Sequence, residues 1–318
     1  EELTQNFAIE EEILRPKEVR SSIARRLGIS ITDSLVTPKY IDGVVDILLD
    51  ASQDFQIPLT QSRLFGWHAA LFPTGYSGIY PITVGNWRKE GKGPMQVISG
   101  PSGKETIHFE APEAERMSAE MSQFIGWFNR PLALDSILKA AIAHFWYLTI
   151  HPFDDGNGRL ARTLADMLLA RSDGSKERFY SMSSQIKQER EAYYLQLEQQ
   201  QRNGLDLTSW IIWFMECLGR ALAQAENIMK DVLYRSQYWD QALQKGTHSR
   251  QKLVLHKMLD QFEGFMRTTK YDRIAKVSRD TALRDLQDLV SKKLLLPTQA
   301  GWRSTSYRLP TPEELKHY

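Results

Sequence analysis

Residues 151–162 read His151-Pro-Phe-Asp-Asp-Gly-Asn-Gly-Arg-Leu-Ala-Arg162, and these twelve positions hold the groups that phosphate chemistry needs. A glycine-containing turn that opens a helix exposes backbone N–H groups at the positive end of the helix dipole, which favours bound phosphate. Arg159 and Arg162 are three residues apart, so on a helix they share one face and can hold successive phosphates. Asp155 can bind Mg²⁺, and His151 is suited to remove a proton near neutral pH. The stretch therefore predicts a phosphate-binding turn at the start of a helix.

Helical periodicity governs most of the remaining chain. Apolar residues recur at three- and four-residue spacing, which predicts helices, in the windows 38–51, 60–71, 115–129, 134–149, 159–171, 186–201 and 207–235. Residues 78–112 differ, because they hold short β-prone runs at 77–85, 95–99 and 106–109 with a Gly- and Pro-containing break at 91–94. This pattern predicts a β-hairpin. The expected fold class is mainly α, with a β-hairpin that projects from a helical body.

The stretch at 151–162 resembles the signature of the Fic family. That signature reads histidine, any residue, phenylalanine, any residue, an acidic residue, Gly-Asn-Gly-Arg, two residues and arginine, and every fixed position is matched here. An ordinary helix N-terminus with exposed arginines is the weaker interpretation. The resemblance implies a Fic helical core at residues 61–240, in which the phosphate loop joins two helices. It also implies a protein adenylyltransferase that moves AMP from ATP to a Tyr, Thr or Ser hydroxyl of a protein, with Mg²⁺ as cofactor.

The mechanism of the family implies a role for each residue of the loop. His151 is expected to take the proton of the target hydroxyl, and Asp155 to hold the Mg²⁺ that bridges the α- and β-phosphates. Arg159 is expected to contact the β-phosphate and Arg162 the γ-phosphate. The other expected nucleotide-binding residues are Gly156, Asn157, Gly158, Leu160, Ala161 and, for the adenine ring, Tyr193. Tyr194 faces another side of the same helix, and a core or surface position for Tyr193 is the alternative.

Residues 78–112 correspond in position to a hairpin, the flap, that lies over the active site of Fic proteins. In the family the flap binds the target segment as an added strand, and pairing with an extended peptide is the physical means. The residues expected to position the target are Ile82, Thr83, Val84 and Gly85. A hairpin without a binding role is the alternative.

The N-terminal segment resembles the inhibitory helix of Fic proteins, which carries Ser or Thr, three residues, Glu, and then Gly or Asn. Residues 6–11 match this pattern in part, because Glu10 is present while Asn6 and Glu11 replace the usual residues. The resemblance implies that Glu10 pairs with Arg162 and prevents productive placement of the γ-phosphate. A carboxylate in an arginine fork competes with phosphate for the same donors. A solvated acidic run at 10–12 is the alternative.

The C-terminal part of the chain, residues 246–318, is expected to be a winged helix-turn-helix domain. Three helical runs precede two β-prone runs at 294–297 and 306–309, and residues 278–286 resemble the recognition helix of winged-helix regulators. This part carries 14 Lys/Arg and 8 Asp/Glu, a net charge of +6, whereas the whole chain carries +1. The uneven charge indicates that the parts of the chain have different partners. The expected order is an N-terminal helical segment at 1–60, the catalytic domain at 61–240 and the winged-helix domain at 246–318.

DNA or a protein is the expected partner of this C-terminal domain. The residues expected to face the major groove are Arg279, Thr281 and Arg284, and Arg303 is expected near phosphate. Asp280 and Asp285 lie on the same helix and would repel the DNA backbone. Because winged helices also bind proteins, the two interpretations have equal weight.

The composition is that of an ordinary globular protein, with 42% hydrophobic and 25% charged residues in 318. No apolar run approaches the length of a membrane span, and the acidic start of the chain is unlike a signal peptide. Cys217 is the single cysteine, which suits a reducing compartment. A cytoplasmic location without a membrane partner is therefore expected. A homodimer is also expected, because Fic proteins with an N-terminal inhibitory segment often pair.

Three other functions are compatible with the sequence. The same fold could remove AMP from a modified protein, with Glu10 orienting a water, or it could transfer another nucleotide moiety. From a different class, the chain could be a DNA-binding regulator whose Fic domain senses a nucleotide. No motif indicates which protein is the substrate, and the chain itself is one candidate.

Overall fold

The computed structural model describes residues 1–30, 35–89, 91, 94–99, 106–131, 133–202, 204–260, 262–298 and 305–317. The chain divides into two units, Glu1–Ala225 and Glu226–Tyr318. The sequence predicts a boundary between residues 240 and 246, whereas the structure places it within a long helix that starts earlier. Most described residues are helical, and short two-stranded sheets accompany the helices. The predicted fold class, mainly α, is confirmed.

The helices of the first unit follow the predicted windows closely. They are α1 (Glu2–Ile9), α2 (Pro16–Arg26), α3 (Lys39–Gln53), α4 (Gln61–Leu71), α5 (Met117–Asn129), α6 (Ser136–Ile150), α7 (Asn157–Asp173), α8 (Met182–Gln188), α9 (Arg190–Arg202) and α10 (Thr208–Gln244), which continues into the second unit. The window at 186–201 contains parts of two helices, because α8 ends at Gln188 and α9 begins at Arg190.

Helices α6 and α7 pack against each other and hold the loop of residues 151–156 between them. Both helices bury small side chains, including Ala140 and Ala143 in α6 and Ala161 in α7, and small side chains permit a close approach of two helices. Larger apolar residues such as Leu164 complete the core, and each buried side chain of that size contributes roughly 1.5–3 kcal/mol. The loop therefore starts and ends on a rigid framework.

Residues 76–110 contain two short antiparallel hairpins. Strand β1 (Tyr76–Ser77) pairs with β2 (Tyr80–Pro81), and β3 (Gln96–Ser99) pairs with β4 (Thr106–Glu110). A hairpin in this region was the expectation, but the predicted strand over 77–85 is wrong beyond Pro81, because Gly85 takes a left-handed φ of 64° and residues 82–85 are irregular. The predicted flap also includes residues 90, 92–93 and 100–105, which lie outside the described residues.

The second unit holds three further helices, a two-stranded sheet and a short terminal helix. These elements are α11 (Ser249–Leu259), α12 (Thr268–Ala275), α13 (Arg279–Ser291), β5 (Leu296–Pro297), β6 (Tyr307–Arg308) and α14 (Pro312–Lys316). Their buried side chains, among them Leu255, Tyr271 and Leu286, form a separate core. The order of the elements agrees with the predicted one, and the assignment as a winged helix stays a prediction. Arg303 lies outside the described residues.

The predicted DNA-facing helix is α13, and one expectation about its charges is wrong. Arg279 and Arg284 are exposed, as a DNA contact requires, and Thr281 lies in the first turn, where Ser278 caps the helix. Asp285, however, is buried and accepts hydrogen bonds from Tyr271 Oη (3.0 Å) and Arg250 Nε (3.2 Å). Although burial alone would raise it, these donors lower the pKa of Asp285. The charge of this carboxylate is therefore balanced by partners inside the unit, and the side chain does not face a bound polyanion.

Among the helices that the described residues form, none combines the length and the hydropathy that crossing a bilayer requires.

Candidate active site

The loop between α6 and α7 takes its shape from three local features. His151 ends α6 with a left-handed backbone (φ 53°), and the buried ring of Phe153 anchors the loop in the core. The side-chain amide of Asn157 accepts a hydrogen bond from Phe153 N (3.0 Å) and donates one to Phe153 O (2.8 Å). Gly156 has φ 83°, and a Cβ there would lie 3.0 Å from the Phe72 ring, so the position requires glycine. Asn157 thus closes the loop with the side chain that was expected to contact phosphate.

His151 is held as a neutral imidazole with one free nitrogen. Its Nδ1 lies 3.3 Å from Leu148 O, and because a carbonyl oxygen only accepts, Nδ1 carries the proton. Nε2 therefore has a lone pair, and it has no hydrogen-bond partner among the residues that the structure describes. Burial lowers the pKa of His151 to about 4. The side chain is poised to accept a proton at neutral pH.

The first turn of α7 has the chemistry that an anion-binding site requires. The side chains of Arg159 and Arg162 are only 4% and 2% exposed. Nε of Arg159 and Nη1 of Arg162 are buried, and in the described part of the chain neither has an acceptor. Buried donors without acceptors cost free energy, and phosphate oxygens would satisfy them. The N-terminal N–H groups of a helix add to the same attraction for anions.

Asp155 precedes this turn and has its carboxylate 41% exposed. Its Oδ1 accepts the N–H of Gly156 (2.5 Å) and lies 3.6 Å from Arg159 Nη2, and its Oδ2 accepts the hydroxyl of Ser77. Within the described residues, no group of three or more His, Cys, Asp or Glu side chains could hold a metal ion by itself. One oriented carboxylate fits Mg²⁺, which binds through one or two carboxylates together with water and substrate phosphates.

Two buried residues that the sequence did not single out position the loop. His68 stacks on Phe153 at 4.0 Å, its Nδ1 accepts the N–H of Gly85 (3.2 Å), and its Nε2–H donates to Asp155 O (3.2 Å). Burial lowers the pKa of His68 to about 4, which preserves this neutral tautomer. Arg88 donates from Nε to the carbonyl oxygen of His151 (2.8 Å) and so fixes the backbone of that histidine.

The N-terminal segment contacts Arg162 of α7, as expected. Arg162 donates from Nη2 to Glu10 Oε1 (2.7 Å), and its Nε donates to the side-chain oxygen of Asn6 (2.6 Å). Glu10 also accepts from Tyr194 Oη (3.2 Å), and a Cβ built on Gly158 would collide with Glu10 Oε1. Although burial alone would raise it, the Arg162 guanidinium lowers the pKa of Glu10. The carboxylate therefore lies, ionised, against the anion-binding turn.

The two departures from the inhibitory pattern have structural explanations. Asn6 supplies both its side-chain oxygen and its backbone oxygen (3.0 Å) to Arg162, so an amide replaces the usual hydroxyl as acceptor. Glu11 takes a left-handed φ of 64°, the conformation that glycine and asparagine adopt most easily. Its carboxylate pairs with Arg190 Nη1 at 2.9 Å. The backbone at residue 11 thus takes the conformation that the Gly or Asn of the pattern favours, although the residue is Glu.

Glu12 is a second carboxylate in the site, and sequence reasoning missed its role. Its Oε1 accepts from Arg159 Nη1 (2.7 Å), and its Oε2 accepts from Tyr40 Oη (2.7 Å). The Arg159 guanidinium lies between the rings of Phe7 and Phe72, at 5.2 and 5.0 Å from their centroids. The N-terminal segment thus engages both arginines of the loop. The run of acidic residues at 10–12 was the signal, but spacing alone did not separate a contact from a solvated surface.

A cleft of about 690 Å³ joins these groups. Its walls include residues of the loop and of α7, the carboxylate of Glu10, side chains of α9, and Val97 and His108 of the β3–β4 hairpin. His108 Nδ1 lies 2.9 Å from Glu198 Oε2 on α9, so the hairpin touches the far wall. The volume lies in the range of small-molecule sites and suits a nucleotide.

Several predicted nucleotide contacts are not available. Leu160 and Ala161 are fully buried in the core and do not line the cleft, because they lie on the face of α7 that packs inward. Tyr193 lines the cleft but is 1% exposed, and its hydroxyl lies 2.9 Å from His144 Nε2 in the aromatic core. Tyr194 presents the more exposed ring, at 38%. The core alternative for Tyr193 therefore describes its surroundings better.

Residues 82–85 are predicted to position a target by strand pairing, which needs free backbone N–H and C=O groups. In the structure, several of their N–H groups are already hydrogen-bonded within the protein. Thr83 N donates to Asp154 Oδ2 (2.7 Å), and Gly85 N donates to His68. Ile82 and Val84 pack against the core of the first unit. Ile82 N also donates, to Gly75 O (3.0 Å), so three backbone donors of this segment are already used, whereas β3 and β4 contribute residues to the cleft. Target positioning by residues 82–85 stays a prediction.

Comparisons with known families agree with this geometry. Residues 58–169 match the Fic/DOC family. The chain is 35% identical over 108 residues to the protein adenylyltransferase Fic of Culex quinquefasciatus, covering 33% of this chain and 20% of that protein. It is 35% identical over 121 residues to a uridine 5'-monophosphate transferase of Xanthomonas campestris, covering 36% and 21%. The matches thus span about a fifth of the length of these relatives.

Solved structures show the same fold. A Fic family protein from Desulfovibrio desulfuricans aligns with a TM-score of 0.52 at 19% identity and covers 98% of this chain and 85% of the other. A Fic domain-containing signaling protein from Bacteroides thetaiotaomicron aligns with a TM-score of 0.50 at 23% identity and covers 70% and 85%. At these identities the likeness concerns the fold alone.

Proposed function

We infer that this chain, whose residues 58–169 are a domain of the Fic/DOC family, is a nucleotidyltransferase that moves AMP from ATP to a Tyr, Thr or Ser hydroxyl of a protein. The observation that carries the proposal is one cleft that holds both a free imidazole nitrogen and an anion-binding helix start. His151, Gly156, Gly158 and Arg159 all line that cleft. The base and the phosphate site are therefore within reach of one substrate.

The proposed reaction uses His151 as the base. Nε2 takes the proton of the target hydroxyl while that oxygen forms a bond to the α-phosphorus of ATP. The bond from the α-phosphorus to the oxygen bridging the β-phosphate breaks, and pyrophosphate leaves with that electron pair. Arg159 and the N–H groups at the start of α7 stabilise the charge on the phosphates. Positioning and charge neutralisation supply most of the rate enhancement in such transfers.

Mg²⁺ is proposed at Asp155. The hydrogen bonds from Gly156 N and from Ser77 orient this carboxylate, and its partial exposure leaves it open to an ion. When bound, Mg²⁺ would neutralise charge on the phosphates of ATP.

The nucleotide base is proposed to lie against Tyr194 rather than Tyr193. A stacked base needs an open aromatic face, and of these two neighbours only Tyr194 is substantially exposed. Because the loop binds phosphates and does not read the base, another nucleotide is an open choice. The relative from Xanthomonas campestris is named for transfer of uridine 5'-monophosphate, which supports UMP as the alternative to AMP.

The N-terminal segment is proposed to inhibit the transfer. Glu10 occupies one donor of Arg162, its Nη2, and Glu12 occupies one donor of Arg159, its Nη1. While both contacts are made, the β- and γ-phosphates of ATP must compete with two carboxylates. Release of the segment would free both arginines at once.

Glu12→Gln is expected to lower the KM for ATP about two- to fivefold, because the half-exposed pair with Arg159 is worth less than a buried one. The measurement is the ATP dependence of the initial labelling rate. Glu18→Gln is the matched control, since Glu18 pairs with Arg15 on the surface and should leave KM unchanged. An unchanged KM in Glu12→Gln would show that the contact does not compete with ATP.

The proposed activity is tested with ATP that is radiolabelled at one chosen phosphate. The full chain with Mg²⁺ and a cell lysate is incubated with ATP labelled at the α-phosphate and, in parallel, with ATP labelled at the γ-phosphate. A parallel incubation of lysate without the chain gives the background, because kinases of the lysate use the γ-phosphate. Label on protein above this background only from the first is the expected result. Label above background from the γ-phosphate would indicate a kinase reaction instead. No label from either, including with the Glu10→Gly chain, would contradict nucleotidyl transfer.

Removal of AMP from a modified protein is the second candidate function. The observation that favours it is the position of Glu10, whose carboxylate lines the same cleft as His151 and could orient a water. Transfer and removal respond in opposite ways to the loss of this carboxylate, so one variant separates them.

A further inference from the structure

A second cavity in the first unit, of about 320 Å³, shares no lining residue with the catalytic cleft. It lies where the end of α5, the start of α6 and the end of α7 meet. Its walls combine three cationic side chains, Arg130, Lys139 and Arg171, with apolar residues that include Phe128 and Leu168. Such a mixture of convergent charge and apolar surface is typical of a small-molecule site.

The charge of this cavity is not balanced. None of its lining residues is acidic, although the chain as a whole carries 40 Lys/Arg and 39 Asp/Glu. Within the described part of the chain, neither Arg130 nor Lys139 nor Arg171 pairs with a carboxylate. The nearest acidic neighbour in sequence, Asp135, accepts from the N–H groups of Ile137 and Leu138 and caps α6. Three positive side chains therefore surround one cavity without a counter-ion from the described protein.

Helix capping explains only part of this arrangement. Lys139 Nζ donates to Phe128 O and Arg130 O, both at 2.8 Å, at the carbonyl end of α5. Arg171 donates from Nε to Phe55 O (2.6 Å) and from Nη2 to Ile57 O (3.1 Å). A lysine has three N–H donors and an arginine five, so both side chains keep donors for another acceptor. Lys139 and Arg171 thus bind carbonyl groups and also line the cavity.

Burial and neighbouring positive charges disfavour the charged forms of two of these groups. Burial, together with the nearby Arg171, lowers the pKa of Lys139. Burial, together with Arg63, lowers the pKa of Arg171 to about 10, so Arg171 remains charged at neutral pH in a setting that disfavours that charge. A bound anion would relieve this repulsion, which adds to its hydrogen bonds with the cations.

We propose that this cavity binds a small phosphate-bearing anion, either phosphate or a phosphate monoester. A phosphate carries up to two negative charges and several acceptor oxygens, which match three convergent cations better than a single carboxylate does. Ser136, at the start of α6, adds a hydroxyl to the lining. The apolar wall formed by Phe128 and Leu168 gives room for the organic part of a monoester. The site is independent of the proposed transfer reaction.

Isothermal titration of the full chain with inorganic phosphate, at constant ionic strength, tests the proposal. Lys139→Gln is expected to weaken binding about tenfold, the value of a charge-assisted hydrogen bond. Because Lys139 also caps α5, Arg130→Gln is the second variant; this exposed side chain should cost about threefold without affecting the fold. Lys187→Gln, at an exposed lysine of α8, is the matched control and should bind as the wild type does.

Phosphate can also bind at the catalytic loop, so the experiment must distinguish binding there from binding in the second cavity. Arg162→Ala alters the loop and leaves the second cavity intact, and it should therefore keep the binding that Lys139→Gln weakens. The opposite pattern, with binding lost in Arg162→Ala and kept in Lys139→Gln and Arg130→Gln, would overturn the proposal. No detectable binding of phosphate by the wild-type chain at millimolar concentration would overturn it as well.

Discussion

Replacement of His151 with alanine is expected to lower AMP transfer about 100- to 10,000-fold, the usual contribution of a positioned general base. The reason is the tautomer: Nδ1–H donates to Leu148 O, so Nε2 is the nitrogen that can take the proton of the target hydroxyl. The measurement is the initial rate of protein labelling from ATP labelled at the α-phosphate. A chain that also carries Glu10→Gly gives the measurable starting rate, and ATP binding should be retained, because the phosphates are proposed to bind at α7.

His151→Asn is the matched control for the backbone. Residue 151 has φ 53°, a conformation that asparagine tolerates well, so this variant keeps the loop and loses only the base. Both variants should be equally inactive. If His151→Asn transferred AMP at the parental rate, His151 would act through loop geometry and not as a base.

The pH dependence gives an independent check of the same assignment. Because burial lowers the pKa of His151 to about 4, the neutral, proton-accepting form is complete well above that value. Transfer is therefore expected to rise as the pH increases through about 4 and to stay level between about pH 6 and pH 8. A sigmoidal increase near the ordinary histidine pKa would contradict a buried, neutral base.

The helical core and the phosphate loop could be predicted from the sequence because their signals are local. Apolar spacing gives the extent of a helix, and a glycine turn before two arginines gives the start of α7. Local signals also limited the prediction. Leu160 and Ala161 belong to the same motif as Arg159, yet they pack into the core, because a helix turns successive side chains to different faces. Membership of a motif does not tell which side chains reach the ligand.

The positioning residues could not be predicted, because long-range packing creates their roles. His68 positions the loop through contacts with Gly85, Phe153 and Asp155, which are distant in sequence. Arg88 follows the predicted run at 77–85, which is strand only in part, and its contact with the distant His151 leaves no local signal in the sequence. The available signal was a polar residue, such as His68, in an otherwise apolar window. Such residues more often make hydrogen bonds within the core than take part in a site.

The N-terminal segment shows how partial patterns should be weighed. Its match at Glu10 identified the contact with Arg162 correctly, although two of the positions around it departed from the pattern. The structure explains both departures through chemistry that a residue pattern omits: Asn6 accepts the same hydrogen bond, and Glu11 adopts the required left-handed backbone. Glu12, outside the pattern, makes the second contact. The contacts with Arg162 depend on where the acceptor atoms lie more than on the identity of the residues that carry them.

Glu10→Gly is expected to raise AMP transfer about ten- to hundredfold, since a hydrogen-bonded charged pair of this kind is worth about 1.5–3 kcal/mol. Removing the carboxylate frees Nη2 of Arg162 and clears the space beside Gly158. The pKa of Glu10 lies below its ordinary value, so the carboxylate is charged at neutral pH and the contact would be lost only as the pH falls through that lowered value. The initial labelling rate at neutral pH measures the effect.

Two control variants separate charge from occupancy in this contact. Glu10→Gln keeps the volume of the side chain and removes its charge, so transfer should lie between those of the wild type and Glu10→Gly. Glu18→Gln removes a carboxylate of the same segment that does not touch the loop and should have no effect. If Glu10→Gly failed to raise labelling but slowed the loss of label from a previously modified protein, Glu10 would serve AMP removal. The same carboxylate would then act by orienting water rather than by excluding ATP.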